Sequence, residues 1–215
     1  MANVRENLTK LKIENKKFGI SVNDTGYSNS DELLNAIAEY LSAGAEIIEL
    51  VGEDMPDKQF LDTAKKTKQL CEVFNASLLI RNRADIAYLS SADGVNLEQE
   101  GLDIHSAREL LGEDFIIGLY TNTRESVIQS VKDGADFIIV GNIKSTPTEP
   151  VTSTGLEYAK WVSENTLFPV LACGKLSTED CRQLKSAGIP RFLVDNSVLN
   201  YSSPNTVTVN YLDVL

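Results

Sequence analysis

The chain holds one histidine, His105, and three cysteines, Cys71, Cys173 and Cys181, in 215 residues. A single imidazole argues against a histidine-rich metal centre and against a Ser-His-Asp relay. Three cysteines without a CxxC pair exclude a zinc knuckle and point to a reducing, cytoplasmic setting. No apolar run approaches the roughly 18 residues that a membrane span needs, so no membrane partner is expected. Residues 1–18 carry five basic side chains but also Glu6 and Glu14, with no apolar stretch, and read as neither signal nor transit peptide. Positive charge is scarce: 20 basic residues face 31 acidic ones, for a net charge of −11. A nucleic-acid partner is therefore not expected, because such binding needs a basic footprint. A small anion site stays open, since backbone amides and one or two local cations suffice for it.

What is present is ordinary for a globular domain: 42% apolar and 24% charged residues, too apolar for a disordered chain. A chain of this length buries about 70% of its unfolded surface and needs no covalent staple. The expected organisation is an extension over residues 1–17, one domain over 18–200 and a tail over 201–215.

Apolar runs at 19–22, 46–51, 78–80, 94–97, 115–120, 137–141, 169–173 and 191–195 read as strands. Between them, helical spacing recurs around 33–41, 58–74, 85–90, 104–111, 124–133, 155–165 and 178–187. Ser30 is the expected cap of the first helix. Strands that alternate with helices imply a parallel sheet, and eight of them imply a closed (β/α)8 barrel, an α/β TIM barrel, ahead of an open doubly wound sheet. Four segments share one punctuation before a strand: Ser42-Ala-Gly-Ala-Glu-Ile-Ile, Ser90-Ser-Ala-Asp-Gly-Val, Lys132-Asp-Gly-Ala-Asp-Phe-Ile and Lys185-Ser-Ala-Gly-Ile-Pro-Arg-Phe. The glycine closes a helix in a left-handed cap, and a small or acidic residue opens the turn into the strand. In residues 201–215, Thr206-Val-Thr-Val-Asn-Tyr alternates as a strand does; an exposed edge of that kind would favour a homodimer.

Barrel chemistry sits at the C-terminal strand ends. The reactive candidates there are Lys144, Asn122 and Glu49. The ligand- and phosphate-binding candidates are Arg81, Asn82, Arg83, Gln99, Thr146, Thr148, Gly174, Lys175, Asn196 and Ser197. Gly174-Lys175 and Asn196-Ser197 follow the last two strands, where many barrels seat phosphate on backbone amides. Lys144 opens a hydroxyl-rich loop and stands where a barrel lyase could keep a Schiff-base amine. Arg81 and Arg83 suit a carboxylate or phosphate, or one of them pairs instead with Glu49 or Glu98. Cys173 reads as a small buried residue rather than a ligand contact.

The segments Leu79-Ile-Arg-Asn-Arg-Ala-Asp-Ile-Ala87, Ala92-Asp-Gly-Val-Asn-Leu-Glu-Gln-Glu-Gly-Leu102, Ile117-Gly-Leu-Tyr-Thr-Asn-Thr123 and Gly134-Ala-Asp-Phe-Ile-Ile-Val-Gly141 resemble the thiamine-phosphate synthase/TenI family. Thr146-Pro-Thr148 and Thr154-Gly-Leu-Glu157 continue the resemblance. It implies a synthase that joins a pyrimidine diphosphate to a thiazole phosphate with Mg²⁺, or a thiazole tautomerase with a catalytic histidine. Several family positions differ here. The two magnesium aspartates read Asn82 and Gly101, and the cationic strand-2 clamp reads Glu49-Leu-Val51-Gly-Glu53. The tautomerase Ser-x-His reads Tyr120-Thr-Asn122, and the Thr-x-Thr-Lys loop ends in Glu149. A phosphorylated small metabolite is the expected ligand. Four functions stay open: a repurposed barrel enzyme for such a metabolite, an active synthase, a non-catalytic binding barrel, and a Schiff-base lyase using Lys144.

Overall fold

The structure is a computed structural model that describes Ile13 and residues 15–141, 153–199 and 204–215. The expected extension lies outside the described residues apart from Ile13 and residues 15–17. Lys144, Thr146 and Thr148 also lie outside them.

Eight parallel strands close on themselves in chain order: β1 (Phe18–Asn23), β2 (Ile47–Val51), β3 (Ser77–Arg81), β4 (Gly94–Leu97), β5 (Ile116–Thr121), β6 (Phe137–Val140), β7 (Val170–Gly174) and β8 (Phe192–Asp195). β8 returns to β1 with Ser21 opposite Asp195. The helices are α1 (Ser30–Ser42), α2 (Asp57–Val73), α3 (Ala84–Ser90), α4 (Ile104–Leu111), α5 (Arg124–Asp133), α6 (Ser153–Asn165), α7 (Thr178–Ser186) and α8 (Pro204–Leu212). This is the TIM barrel that the strand and helix spacing implies.

Successive side chains of a strand point to opposite faces, so each strand feeds two cores. Outward residues such as Ile48, Leu50, Leu78, Ile80, Val95 and Ile117 pack under the helices. Inward residues Ile47, Leu79, Ile116, Phe137, Ile139, Leu171 and Leu193 fill the barrel, with Ile13 packed among them. Gly118 makes room inside. A Cβ there would collide with the Phe137 ring and stand 2.8 Å from Asn96 Oδ1.

The acidic punctuation has a mechanical role. Glu46 Oε2 accepts the N–H of Lys17 at 2.6 Å at the start of β1. Asp93 Oδ2 accepts that of Leu78 at 2.9 Å in β3, and Asp136 Oδ2 that of Ile117 at 2.8 Å in β5. Each acid before an even-numbered strand thus latches the strand before it. Three of the four punctuation glycines take positive φ: Gly44, Gly134 and Gly188. In the fourth segment Ser91 takes the left-handed position (φ 56°) and Gly94 begins β4.

Two local expectations are corrected. Asn29, not Ser30, caps α1, because its side chain accepts the N–H groups of Asp31 and Glu32 at 3.0 and 2.9 Å. Ser30 Oγ instead accepts from Gln59 Nε2 at 3.0 Å. The tail forms α8 rather than a strand. Pro204 suits a first helical turn, and Thr208, fully buried, donates to the Pro204 carbonyl at 2.8 Å. Tyr211 stacks on Phe18, with ring centroids 5.7 Å apart, and donates its hydroxyl to the Leu176 carbonyl at 2.7 Å. Tertiary anchoring therefore overrides the β-branched alternation. The strand edge that motivates a homodimer is absent from residues 204–215.

Replacing Gly118 by alanine overpacks the barrel interior beneath Asn96. Chemical denaturation of Gly118→Ala is expected to show a loss of about 1–3 kcal/mol.

Candidate functional site

The uppermost inward layer of the barrel is polar. Ser21 of β1, Glu49 of β2, Arg81 of β3, Asn96 of β4 and Tyr120 of β5 converge on it, joined by Cys173 of β7. The parallel register places Ser21 beside Glu49 and Arg81 beside Asn96. Glu49 is fully buried and sits at the centre. Its Oε2 accepts from Ser21 Oγ at 2.6 Å and from Arg81 Nη2 at 2.6 Å. Its Oε1 accepts from Asn96 Nδ2 at 2.7 Å, and the Tyr120 hydroxyl lies 2.9 and 3.0 Å from the two oxygens. Arg81 Nη2 also contacts the Tyr120 hydroxyl, and the guanidinium lies over that ring, 4.7 Å from its centroid. The Cys173 sulfur is 3.4 Å from the same hydroxyl.

Burial pushes the Glu49 carboxyl up. The Arg81 charge and hydrogen bonds from Arg81, Ser21 and Asn96 outweigh it and hold the group below its ordinary value. Burial would discharge Arg81, but Glu49 keeps it firmly protonated. Tyr120 is raised well above its usual value, first by burial and then by the neighbouring Cys173 and Glu49. Burial and the Glu49 charge push the Cys173 thiol up to about 12. At neutral pH the layer therefore holds one carboxylate, one guanidinium, a neutral phenol and a neutral thiol. Its carboxylate is saturated by donors and is a poor base, and its thiol is no nucleophile.

Around this floor runs a more open rim. Arg83 spends its guanidinium on Asp85 (2.8 and 2.7 Å) and on Asp57 (2.8 Å). Asn82 occupies the left-handed region (φ 56°); its Oδ1 accepts the Glu98 N–H at 2.9 Å and its Nδ2 donates to Glu98 Oε2 at 2.8 Å. Gln99 Nε2 reaches Asn122 Oδ1 at 3.0 Å. Lys175 follows Gly174 of β7, half-buried and without an ion pair among the described residues. Asn196 is fully buried and turned towards Asn23 and Tyr27, and the Ser197 N–H is taken by Asp195 Oδ1 at 2.8 Å.

The structure thus brings Glu49 and Arg81 together on the floor and sets Asn82, Arg83, Gln99, Asn122, Gly174 and Lys175 on the rim. Ser21, Asn96 and Tyr120 complete the floor, and no local motif marks them as a group. Their signal is strand parity: Ser21 shares the inward face of β1 with Gly19, Asn96 that of β4 with Gly94, and Tyr120 that of β5 with Gly118. Cys173 is buried as expected, but on the inner face and against Tyr120.

The positions that the family resemblance gives to two magnesium aspartates do meet in space. A Cβ on Gly101 would stand 2.8 Å from Asn82 Oδ1. Neither residue carries a carboxylate, and both polar atoms of Asn82 are spent on Glu98. Among the described residues no group of three His, Cys, Asp or Glu side chains could hold a metal. This donor set does not fit Mg²⁺, a hard cation that favours carboxylates.

The fold and its polar strand ends define a TIM-barrel protein whose charged and polar side chains gather at the barrel mouth. Comparison with known proteins narrows the class. The family described as Thiamine monophosphate synthase (TMP-TENI) matches residues 20–197. A thiamine-phosphate synthase of Nostoc punctiforme is 33% identical over 189 residues, 87% of this chain and 54% of that protein. One of Dictyoglomus turgidum is 32% identical over 181 residues, 83% of this chain and 80% of that protein. The solved structure of thiamine phosphate pyrophosphorylase from Pyrococcus furiosus superposes with a TM-score of 0.83 at 24% identity, covering 94% of this chain and 96% of that one; at that identity it attests the fold. The chain belongs to the thiamine monophosphate synthase (TMP-TENI) family. It spans about half the length of the Nostoc punctiforme and Synechocystis relatives it matches. No helix among the described residues is long and apolar enough to cross a membrane.

The buried pair gives a pH signature. In the intact protein the lowered Glu49 value contributes stability above the unfolded carboxylate range and loses it as pH falls through the folded value. Arg81→Met leaves burial dominant at Glu49, raises its value and reverses the slope. That variant should lose about 3–5 kcal/mol at neutral pH and regain part of it on acidification. Urea unfolding of both proteins from neutral pH to below the unfolded carboxylate range checks the slopes: the variant gains on the way down to that range, and the intact protein loses stability only beneath it.

Proposed function

We propose that this barrel binds a small phosphorylated metabolite at its C-terminal face and does not catalyse displacement of a diphosphate. One observation carries the reading: both arginines of the described mouth are consumed by the chain's own acids, Arg81 by Glu49 and Arg83 by Asp57 and Asp85. A departing diphosphate needs concentrated positive charge or a metal to stabilise it. Asn82 and Gly101 supply neither. A single phosphate asks for less, and Lys175 at the end of β7 offers one cation beside Gly174. The metabolite's phosphate sits at that rim in this reading, and the rest of it lies towards the floor. The thiamine-phosphate synthases among the relatives favour a second reading, an active synthase.

One assay separates the two. The purified protein is given the pyrimidine diphosphate, the thiazole phosphate and Mg²⁺, and thiamine phosphate is followed against a no-enzyme control. The expected outcome is no product above the control, together with calorimetric binding of the thiazole phosphate. Lys175→Ala should weaken that binding roughly tenfold, the scale of one lost charge-assisted hydrogen bond. Product formed at enzymatic rates would establish the synthase reading instead.

A further inference from the structure

Glu49 is held in an unusual way. Ser21 Oγ, Arg81 Nη2, Asn96 Nδ2 and the Tyr120 hydroxyl come from four different strands and converge on its two oxygens, at 2.6 to 3.0 Å. A guanidinium, two hydroxyls and an amide aimed at one point are the components of an oxyanion-binding site. Here the oxyanion is covalently part of the chain. Packing alone gives little reason for the arrangement, because a buried ion pair is commonly no more stabilising than apolar residues of the same volume. Two polar atoms of the same residues are left over beside it. Arg81 Nε is buried with no hydrogen-bond partner, and Asn96 Oδ1 is a buried acceptor left over on the same layer.

We infer that Glu49 is a specificity-determining residue: its carboxylate fills, from within, an oxyanion site that four strands build at the floor of the mouth. While Glu49 is seated, an anionic group of a ligand is excluded from Arg81, and the floor presents a layer of balanced charge. A ligand therefore meets the floor through an uncharged portion and carries its negative charge to the rim. This deepens the reading of a rim-bound phosphate but stands on separate residues, so either can fail alone. Removing the carboxylate should expose the site to small external oxyanions.

The test uses formate, a carboxylate small enough for the space vacated by the Glu49 side chain, on the full chain without any metabolite. Thermal unfolding and calorimetric titration compare the intact protein, Glu49→Ala and Glu49→Gln in formate and in chloride at equal ionic strength. Glu49→Ala should bind formate at least about tenfold more tightly than the intact protein and melt at a higher temperature in its presence, since a ligand bound only to the folded state stabilises it. Glu49→Gln keeps the seat filled by an uncharged side chain, whose amide the spare Asn96 Oδ1 can accept after rotation, and should not respond. If Glu49→Ala does not fold unaided, it is refolded in each salt, and recovery in formate alone supports the inference. A folded Glu49→Ala indifferent to formate overturns it, as does recovery in neither salt. An equal formate response in Glu49→Gln also overturns it, because the effect would then not come from the vacated seat.

Discussion

A closed parallel sheet has no edge, so every residue of every strand faces either the barrel interior or the helices that cover it. That constraint governs the rest of this molecule. It turns a period of two along the chain into two separate cores and makes the inward residues of eight strands meet in layers. The lower layers are apolar and are held at the base by the latches of Glu46, Asp93 and Asp136. The top layer is polar because its inward positions are Ser21, Glu49, Arg81, Asn96 and Tyr120. The latches do not involve the mouth, whereas Tyr120 and Cys173 of the floor pack against the inner apolar core.

Charge at the mouth follows from what burial requires. An isolated carboxylate at the position of Glu49 would be neutralised by protonation, since desolvation is the largest influence on it. Arg81 removes that option and gives up its own freedom in return. Its short link to Glu49 and its stacking on Tyr120 fix the guanidinium against the barrel wall. A positively charged strand end read from sequence is then a charge-balanced one in three dimensions. The same holds at Arg83, whose two acidic partners lie on α2 and α3. An inventory of rim charges overstates what a ligand would encounter.

Much of the fold is legible in the chain because its signals are local. The apolar runs mark each strand to within a residue or two, and a glycine-bearing turn precedes four of the eight. The tail is not legible. Thr206, Thr208 and Val209 carry a strand-like pattern, and the decision for a helix is made by Tyr211 against Phe18, residues nearly the whole chain apart. The site divides in the same way. Rim positions follow from strand ends, so Asn82, Gln99 and Lys175 can be named directly. The floor depends on pairings such as Tyr120 with Glu49, 71 residues apart, and Ser21 with Glu49, 28 apart. Only closure of the barrel brings them together. Sequence leaves Glu98 and Glu49 as alternative partners for the two arginines; the structure gives Glu49 to Arg81 and leaves Glu98 to Asn82.

The side chains at the mouth are physically dependent on one another. Glu49 can be buried as an anion only with Arg81 beside it. Tyr120 reaches Glu49 only because Gly141 lies next to its ring, where a Cβ would come within 2.7 Å of it. Asn96 reaches over Gly118, whose missing side chain leaves space for the amide. Changing any one of these alone would strand a buried charge, close a gap or leave a donor unpaired. The floor is therefore one interdependent set of side chains, without net charge and held rigid by the Glu49–Arg81 pair at its centre.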